Sequence, residues 1–225
     1  MHSLNSDEYL AWLRLRISPH KAGLFQHIAA QRTRKICVVL EDIYQPHNAS
    51  AVLRTCEALG IQDVHIIENK NRFETKPQVS LGASRWLSIF RYNEVANPTQ
   101  ICLNQLKTEG YSLWATSPHG DGVDLEAMEP SPEEPIALVL GTEKEGLSPV
   151  ALEMADGFLR IPMYGCTESF NISVSAAICL HHLTWKMRLK SGWELSPIEQ
   201  RNLEIEWCER ATRRTEEMRA AFLNR

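Results

Sequence analysis

Between residues 36 and 190, short apolar runs of strand length take turns with segments of helical period, and this alternation constrains the fold more than any other feature. Ile36–Glu41 reads ICVVLE and 136–141 reads IALVLG, continuous apolar runs that suit strands buried on both faces. Further strands are expected at 64–67, Ser88–Tyr92, 111–116 and 158–162, with helices at 47–59, 98–109 and 149–155 and from Asn171 to about 190. Gly60, Gly110 and Gly192 follow three of those helices as C-terminal stops. The pattern predicts an α/β fold, a mostly parallel sheet with helices on both faces. Outside it lie two helical arms. Residues 1–34 form a basic N-terminal arm interrupted at Pro19, residues 35–192 the alternating domain, and 193–225 an extension carrying one helix over 197–223.

The net charge is -4, so bulk charge does not announce a nucleic-acid binder, but its distribution is uneven. From Tyr9 to Leu40 there is no acidic residue, while Arg14, Arg16, Lys21, Arg32, Arg34 and Lys35 are basic. Such a segment is either a footprint for phosphates or a solvated helix face. Arg210, Arg213 and Arg214 add charge near the other end. Six cysteines stand without paired spacing, which suits reduced thiols in a cytoplasm. No metal-ligand cluster is expected: His181 and His182 are adjacent and face apart on a helix, and HExxH is missing. No run is long and apolar enough for a membrane span or signal peptide. Dinucleotide, Walker and GxSxG signatures are absent too.

Three polar loops stand at predicted strand ends. The first, QPHNASAVLRTCEALG, carries Asn48 at a helix entry and Arg54 more than a turn inside, among Ala, Val, Leu and Cys. An arginine with core neighbours must find anions, so function is favoured over a buried ion pair for Arg54; a lone Asn in the place of Asn48 is usually a cap. The second, LVLGTEKEGLS, places Glu143 between Gly141 and Gly146, weak as a signal by itself. The third, IPMYGCTESFNISVSAAICL, sets Ser169, Asn171 and Ser173 at a strand-to-helix junction, where they cap the helix or hold a ligand at its unpaired amides.

Taken in series, HNASAVLRTCEALG, LVLGTEKEGLS and ADGFLRIPMYGCTESFNISVSAA resemble the motifs of the SpoU-type (SPOUT superfamily) RNA ribose 2'-O-methyltransferases, most closely the TrmH group acting on tRNA guanosine. The resemblance covers residues 36–190 well and the arms more loosely. It implies the SPOUT fold, with a C-terminal deep trefoil knot that forms a pocket for S-adenosyl-L-methionine, and a homodimer whose active sites draw on both subunits. It assigns catalytic roles to Arg54, Asn48, Glu143, Ser169 and Asn171. Cofactor contacts are implied at Thr116, Leu140, Gly141, Ile161, Met163 and Phe170; Phe170 stands where relatives commonly have Leu.

The implied activity is transfer of a methyl group to the 2'-hydroxyl of guanosine 18 in the tRNA D-loop, with Arg14, Arg16, Arg32, Arg34 and Lys35 holding RNA backbone. The same chemistry on another tRNA nucleotide or on ribosomal RNA, and a non-catalytic RNA-binding protein of this fold, are the competing expectations.

Overall fold

The computed structural model describes residues 6–93, 95–117, 122–142, 145–212 and 215–223, and divides into two compact units. Arg34–Trp193 forms the larger. It contains β1 (Ile36–Glu41), α3 (Pro46–Ala58), β2 (Asp63–Ile67), α4 (Pro77–Ser80), β3 (Ser88–Tyr92), α5 (Pro98–Thr108), β4 (Ser112–Thr116), β5 (Val123–Asp124), β6 (Ile136–Leu140), α6 (Pro149–Met154), β7 (Gly157–Arg160) and α7 (Ile172–Arg188). Met1–Thr33 and Glu194–Arg225 make the other, with α1 (Ser6–Arg14), α2 (Pro19–Ala29), α8 (Pro197–Thr212) and α9 (Thr215–Leu223). The single helix expected over 197–223 is therefore two helices flanking residues 213–214, which lie outside the described residues.

The sheet runs β3-β2-β1-β6-β4-β7-β5, and every strand pairing is parallel. β1 lies between β2 and β6, with Val38 opposite Val64 of β2 and Leu138 of β6. Alternate residues of the two central strands feed two cores. Ile36, Val38, Leu40, Leu138 and Leu140 meet α3 and α7 on one face, whereas Cys37, Val39, Ala137 and Val139 meet α5 and α6 on the other. The two-period of the strand thus sorts a continuous apolar run onto both faces, each covered by helices.

Local chemistry sets the helix ends. Ser18, Ser148 and Asn171 accept a backbone N–H of the first turn at α2, α6 and α7, and Pro opens α2, α3, α5 and α6 where no N–H is needed. Gly60 and Gly110 take φ of 77° and 89°, which lets Ile61 and Tyr111 donate back to Cys56 and Leu106 and close α3 and α5. Because β1 and β6 are neighbours whose following helices, α3 and α6, leave to opposite faces, a crevice opens at their carboxyl ends.

His65 on β2 is 3% exposed, stacked on Phe90, with Nδ1 3.1 Å from the Tyr92 hydroxyl. Burial lowers its pKa to about 4. The unfolded chain takes up this proton near pH 6.5, so between pH 6.5 and about 4 the unfolded state binds more protons and stability falls as the pH drops. Thermal melts should show roughly 3 kcal/mol of stability lost through this site across that window. His65→Asn should flatten the slope; an unchanged slope would assign the acid sensitivity elsewhere.

Candidate active site

A cleft of about 490 Å³ opens where β4, β6 and β7 end. Thr116 and Leu140 close their strands, Gly141 follows β6, and Ile161, Met163, Ser169 and Phe170 come from the chain between β7 and α7; all line it. The six residues expected to hold a cofactor and Ser169 therefore surround one cavity. Leu152 and Leu159 add apolar wall, while Ser117, Glu145, Glu168 and Ser175 add polar groups. Gly141 is required by a close approach: a Cβ there would lie 2.4 Å from the carbonyl carbon and oxygen of Gly146 and 2.6 Å from the Leu147 nitrogen. The loop is held in this fold by Thr142 N–H to Gly146 O at 2.9 Å and Gly146 N–H to Thr142 O at 3.1 Å.

The first and third motifs meet beside the cleft. Asn48 is 4% exposed, and its Oδ1 accepts from Asn171 Nδ2 at 3.3 Å, joining side chains 123 residues apart in sequence. Its Nδ2 donates to Gln45 Oε1 at 3.1 Å. Asn48 is not the cap of α3: the helix starts at Pro46, and Gln45 holds the cap position without a side-chain bond. Asn171 both caps and bridges, since its Oδ1 accepts from Ser173 N–H at 2.9 Å and Ser173 Oγ at 2.6 Å while its Nδ2 reaches Asn48.

Arg54 departs from expectation in its setting. Val52, Leu53 and Cys56 of α3 are buried, but Arg54 falls on the opposite flank and is exposed, lining neither this cleft nor the cavity beside it. The core neighbours inferred for it are neighbours in sequence only. Among the described residues its guanidinium has no hydrogen-bond or ion-pair partner. Glu143 lies outside the described residues.

The expected RNA contacts also need revision. Arg32 is 1% exposed, with its guanidinium 5.3 Å from the Trp207 ring centroid, so it is an interior residue of the helical unit and offers nothing to a phosphate. Arg14 pairs with Glu204 and Arg34 with Asp63 at 2.9 Å, so neither is a bare cation, and Lys35 is half-buried. Arg210 is paired with Glu206; Arg213 and Arg214 lie outside the described residues. Arg16 and Lys21 stay exposed, Arg16 lying 3.4 Å above the Trp12 ring centroid.

Sequence reasoning missed a second cavity, of about 760 Å³, at the ends of β1 and β2. Asp42, Tyr44 and Asn69 line it. Their only signal in the sequence is a polar and aromatic residue directly after a strand.

Comparison with known proteins places these features in company. The SpoU rRNA Methylase family matches over residues 35–181. A Borreliella burgdorferi protein named tRNA (guanosine(18)-2'-O)-methyltransferase is 38% identical over 192 residues, 85% of each chain. Among solved structures, the Aquifex aeolicus TrmH/SpoU tRNA modifying enzyme superposes with a TM-score of 0.75 at 26% identity, covering 86% of this chain and 97% of that one. The SpoU methyltransferase AviRb from Streptomyces viridochromogenes, solved with AdoMet, shares the fold at a TM-score of 0.60 and 23% identity, over 70% of this chain and 62% of its own.

Proposed function

The chain belongs to the SpoU rRNA Methylase family, and from that premise we propose that it is an S-adenosylmethionine-dependent tRNA ribose 2'-O-methyltransferase modifying guanosine 18 of the D-loop. One observation carries the reading: a cleft at the ends of three parallel strands gathers Thr116, Leu140, Gly141, Ile161, Met163 and Phe170, with Ser169 on its wall and the Asn48–Asn171 bridge beside it. Its volume, about 490 Å³, falls in the range of small-molecule sites, and its mixed apolar and polar walls and closely approaching backbone suit an adenosine carrying a sulfonium amino-acid chain. The trefoil knot implied by the resemblance belongs to the same proposal.

S-adenosylmethionine supplies an electrophilic methyl group on a sulfonium. The chain's own residues must orient a ribose hydroxyl and give its proton somewhere to go. A guanidinium carries hydrogen-bond donors and no acceptor, so Arg54 is not cast as the base. It grips the neighbouring phosphate and stabilises charge developing on the 2'-oxygen, while a phosphate oxygen receives the proton. Asn48, Ser169, Asn171 and Glu143 orient the reacting groups.

Arg54 reaches a cofactor cleft as part of a homodimer. α7 exposes Val174, His181 and Trp185 along one side, with Ile178 half-buried between them, a stripe at helical spacing with α3 packed beside the helix. An isologous contact on that stripe brings each α3 toward the other protomer. Six free thiols suit a reducing cytoplasm.

Labelled S-adenosylmethionine and unmodified tRNA test the function. The expected product is 2'-O-methylguanosine at position 18, and no label enters tRNA carrying 2'-deoxyguanosine there. Label on a base, or only on ribosomal RNA, would overturn the reading.

For the RNA contacts, Arg16→Gln and Lys21→Gln should each reduce the slope of log affinity against log salt by about 1. Arg32→Gln should lower the melting temperature and leave that slope alone; the reverse result would restore Arg32 as a phosphate ligand.

A further inference from the structure

The 760 Å³ cavity adjoins the cofactor cleft, for Thr142, Glu145, Gly146, Leu147 and Ile172 line both. The two are thus adjoining chambers sharing one wall. Asn48 lines the larger chamber, and through its bond to Asn171 it joins the two regions.

Its wall is built in advance. Asp42, directly after β1, adopts a left-handed φ of 53°, unusual for a residue other than glycine. Its carboxylate accepts from the backbone N–H groups of Asn69, Lys70 and Asn71 at 2.7, 2.8 and 3.3 Å and from Asn69 Nδ2 at 3.1 Å. The loop after β1 is thereby tied to the loop after β2. Ile43 is buried, and α3 begins at Pro46. Between these anchors Tyr44 is held at the cavity rim, 72% exposed as a residue. Among the described residues its ring has no aromatic or hydrogen-bonding partner. Backbone strain spent to present a solvated aromatic ring has a ready explanation in a ligand that stacks on it.

Charge decides what kind of ligand. Among the described residues the charged lining of the chamber is Glu41, Asp42, Glu145 and Lys70; Lys70 is paired with Glu145 at 3.1 Å, and the Glu41 and Asp42 carboxylates are taken up by Thr99 and Ser148 and by the 69–71 loop. Among the described residues such a lining offers a phosphate no unpaired cation, whereas the Tyr44 ring and the exposed side-chain amides of Asn97 and Gln100 suit a flat ring that both donates and accepts hydrogen bonds. We infer that this chamber takes the nucleobase of the nucleotide whose ribose is methylated, extruded from its stack, with Tyr44 as the stacking platform. The inference rests on the methyltransferase reading and adds the subsite that selects the target. The ribose then lies at the Asn48–Asn171 bridge, with its hydroxyl toward the cofactor cleft.

Methyl-transfer kinetics on intact tRNA, and on tRNA abasic at the modified position, test this with wild type, Tyr44→Ala and Tyr44→Phe. Stacking on an aromatic side chain corresponds to roughly 5- to 150-fold in binding, so Tyr44→Ala should lose kcat/KM for intact tRNA within that range. Tyr44→Phe should retain most of the wild-type value, and calorimetry should give all three the same cofactor affinity. On abasic tRNA the wild type should fall by a similar factor and Tyr44→Ala should lose nothing more. Equal loss from Tyr44→Ala on both substrates, no loss on intact tRNA, or a loss explained by a changed sedimentation coefficient would overturn the assignment. A wild type that transfers no methyl group to any tRNA would refute the methyltransferase reading itself, and this inference with it.

Discussion

Arg54→Ala is expected to lower methyl transfer by roughly 10²- to 10³-fold, the scale seen when one preorganised group stabilising transition-state charge is removed, while cofactor affinity stays at the wild-type value. The split follows from where the residue sits. Arg54 is exposed on α3 and lines neither chamber of its own protomer, so its removal takes nothing from the walls around the cofactor. Among the described residues it has no anion, so its loss leaves no buried partner stranded and should cost little stability. Arg54→Lys should recover only part of the rate, because an ammonium cannot present the planar fork that grips a phosphate through two bonds. Near-parental transfer by Arg54→Ala, or a parallel loss of cofactor binding, would remove Arg54 from the chemistry.

Gly141→Val should act in the opposite way, weakening cofactor binding while the fold survives. The added Cβ would lie 2.4 Å from the Gly146 carbonyl, and because that obstacle is backbone, no side chain can swing aside to relieve it. Overpacking of this kind costs about 1–3 kcal/mol, and the chain can shed it only by moving 146–147, two residues of the cleft wall. Calorimetry should show cofactor affinity reduced roughly 10- to 100-fold with only a small change in melting temperature. Unchanged affinity would mean that this loop does not shape the cofactor site.

The alternating core was legible because its signals are local. Ile36–Glu41 and Ser88–Tyr92 are strands with the bounds read from sequence, and the glycines at 60 and 110 end helices through their own backbone geometry. β5 was not legible: two residues in a turn-rich stretch become a strand only by pairing with Leu159 and Arg160 of β7. The cleft residues came from the resemblance, since no spacing rule tells that Thr116 and Phe170 share a wall. Charge was legible and its use was not. Arg14 finds Glu204 across 190 residues of chain, and Arg32 lies on Trp207, partners no window of sequence reveals. For Arg54 the information was present and misread: burial of Ala49, Val52, Leu53 and Cys56 follows a helical period that leaves position 54 outside.

In the proposed homodimer, one active site is assembled from the cofactor cleft of one protomer and the guanidinium of the other. Co-expression of Arg54→Ala and Gly141→Val chains under different tags, followed by isolation of the mixed dimer, separates a shared site from two self-contained ones. The mixed dimer holds one site with an intact cleft and an intact arginine, so with S-adenosylmethionine held below the wild-type dissociation constant it should show about half the wild-type specific activity, although under that condition each parent variant retains only a small fraction. A mixed dimer no more active than its parents would mean that each protomer needs its own Arg54, and the shared site would be wrong.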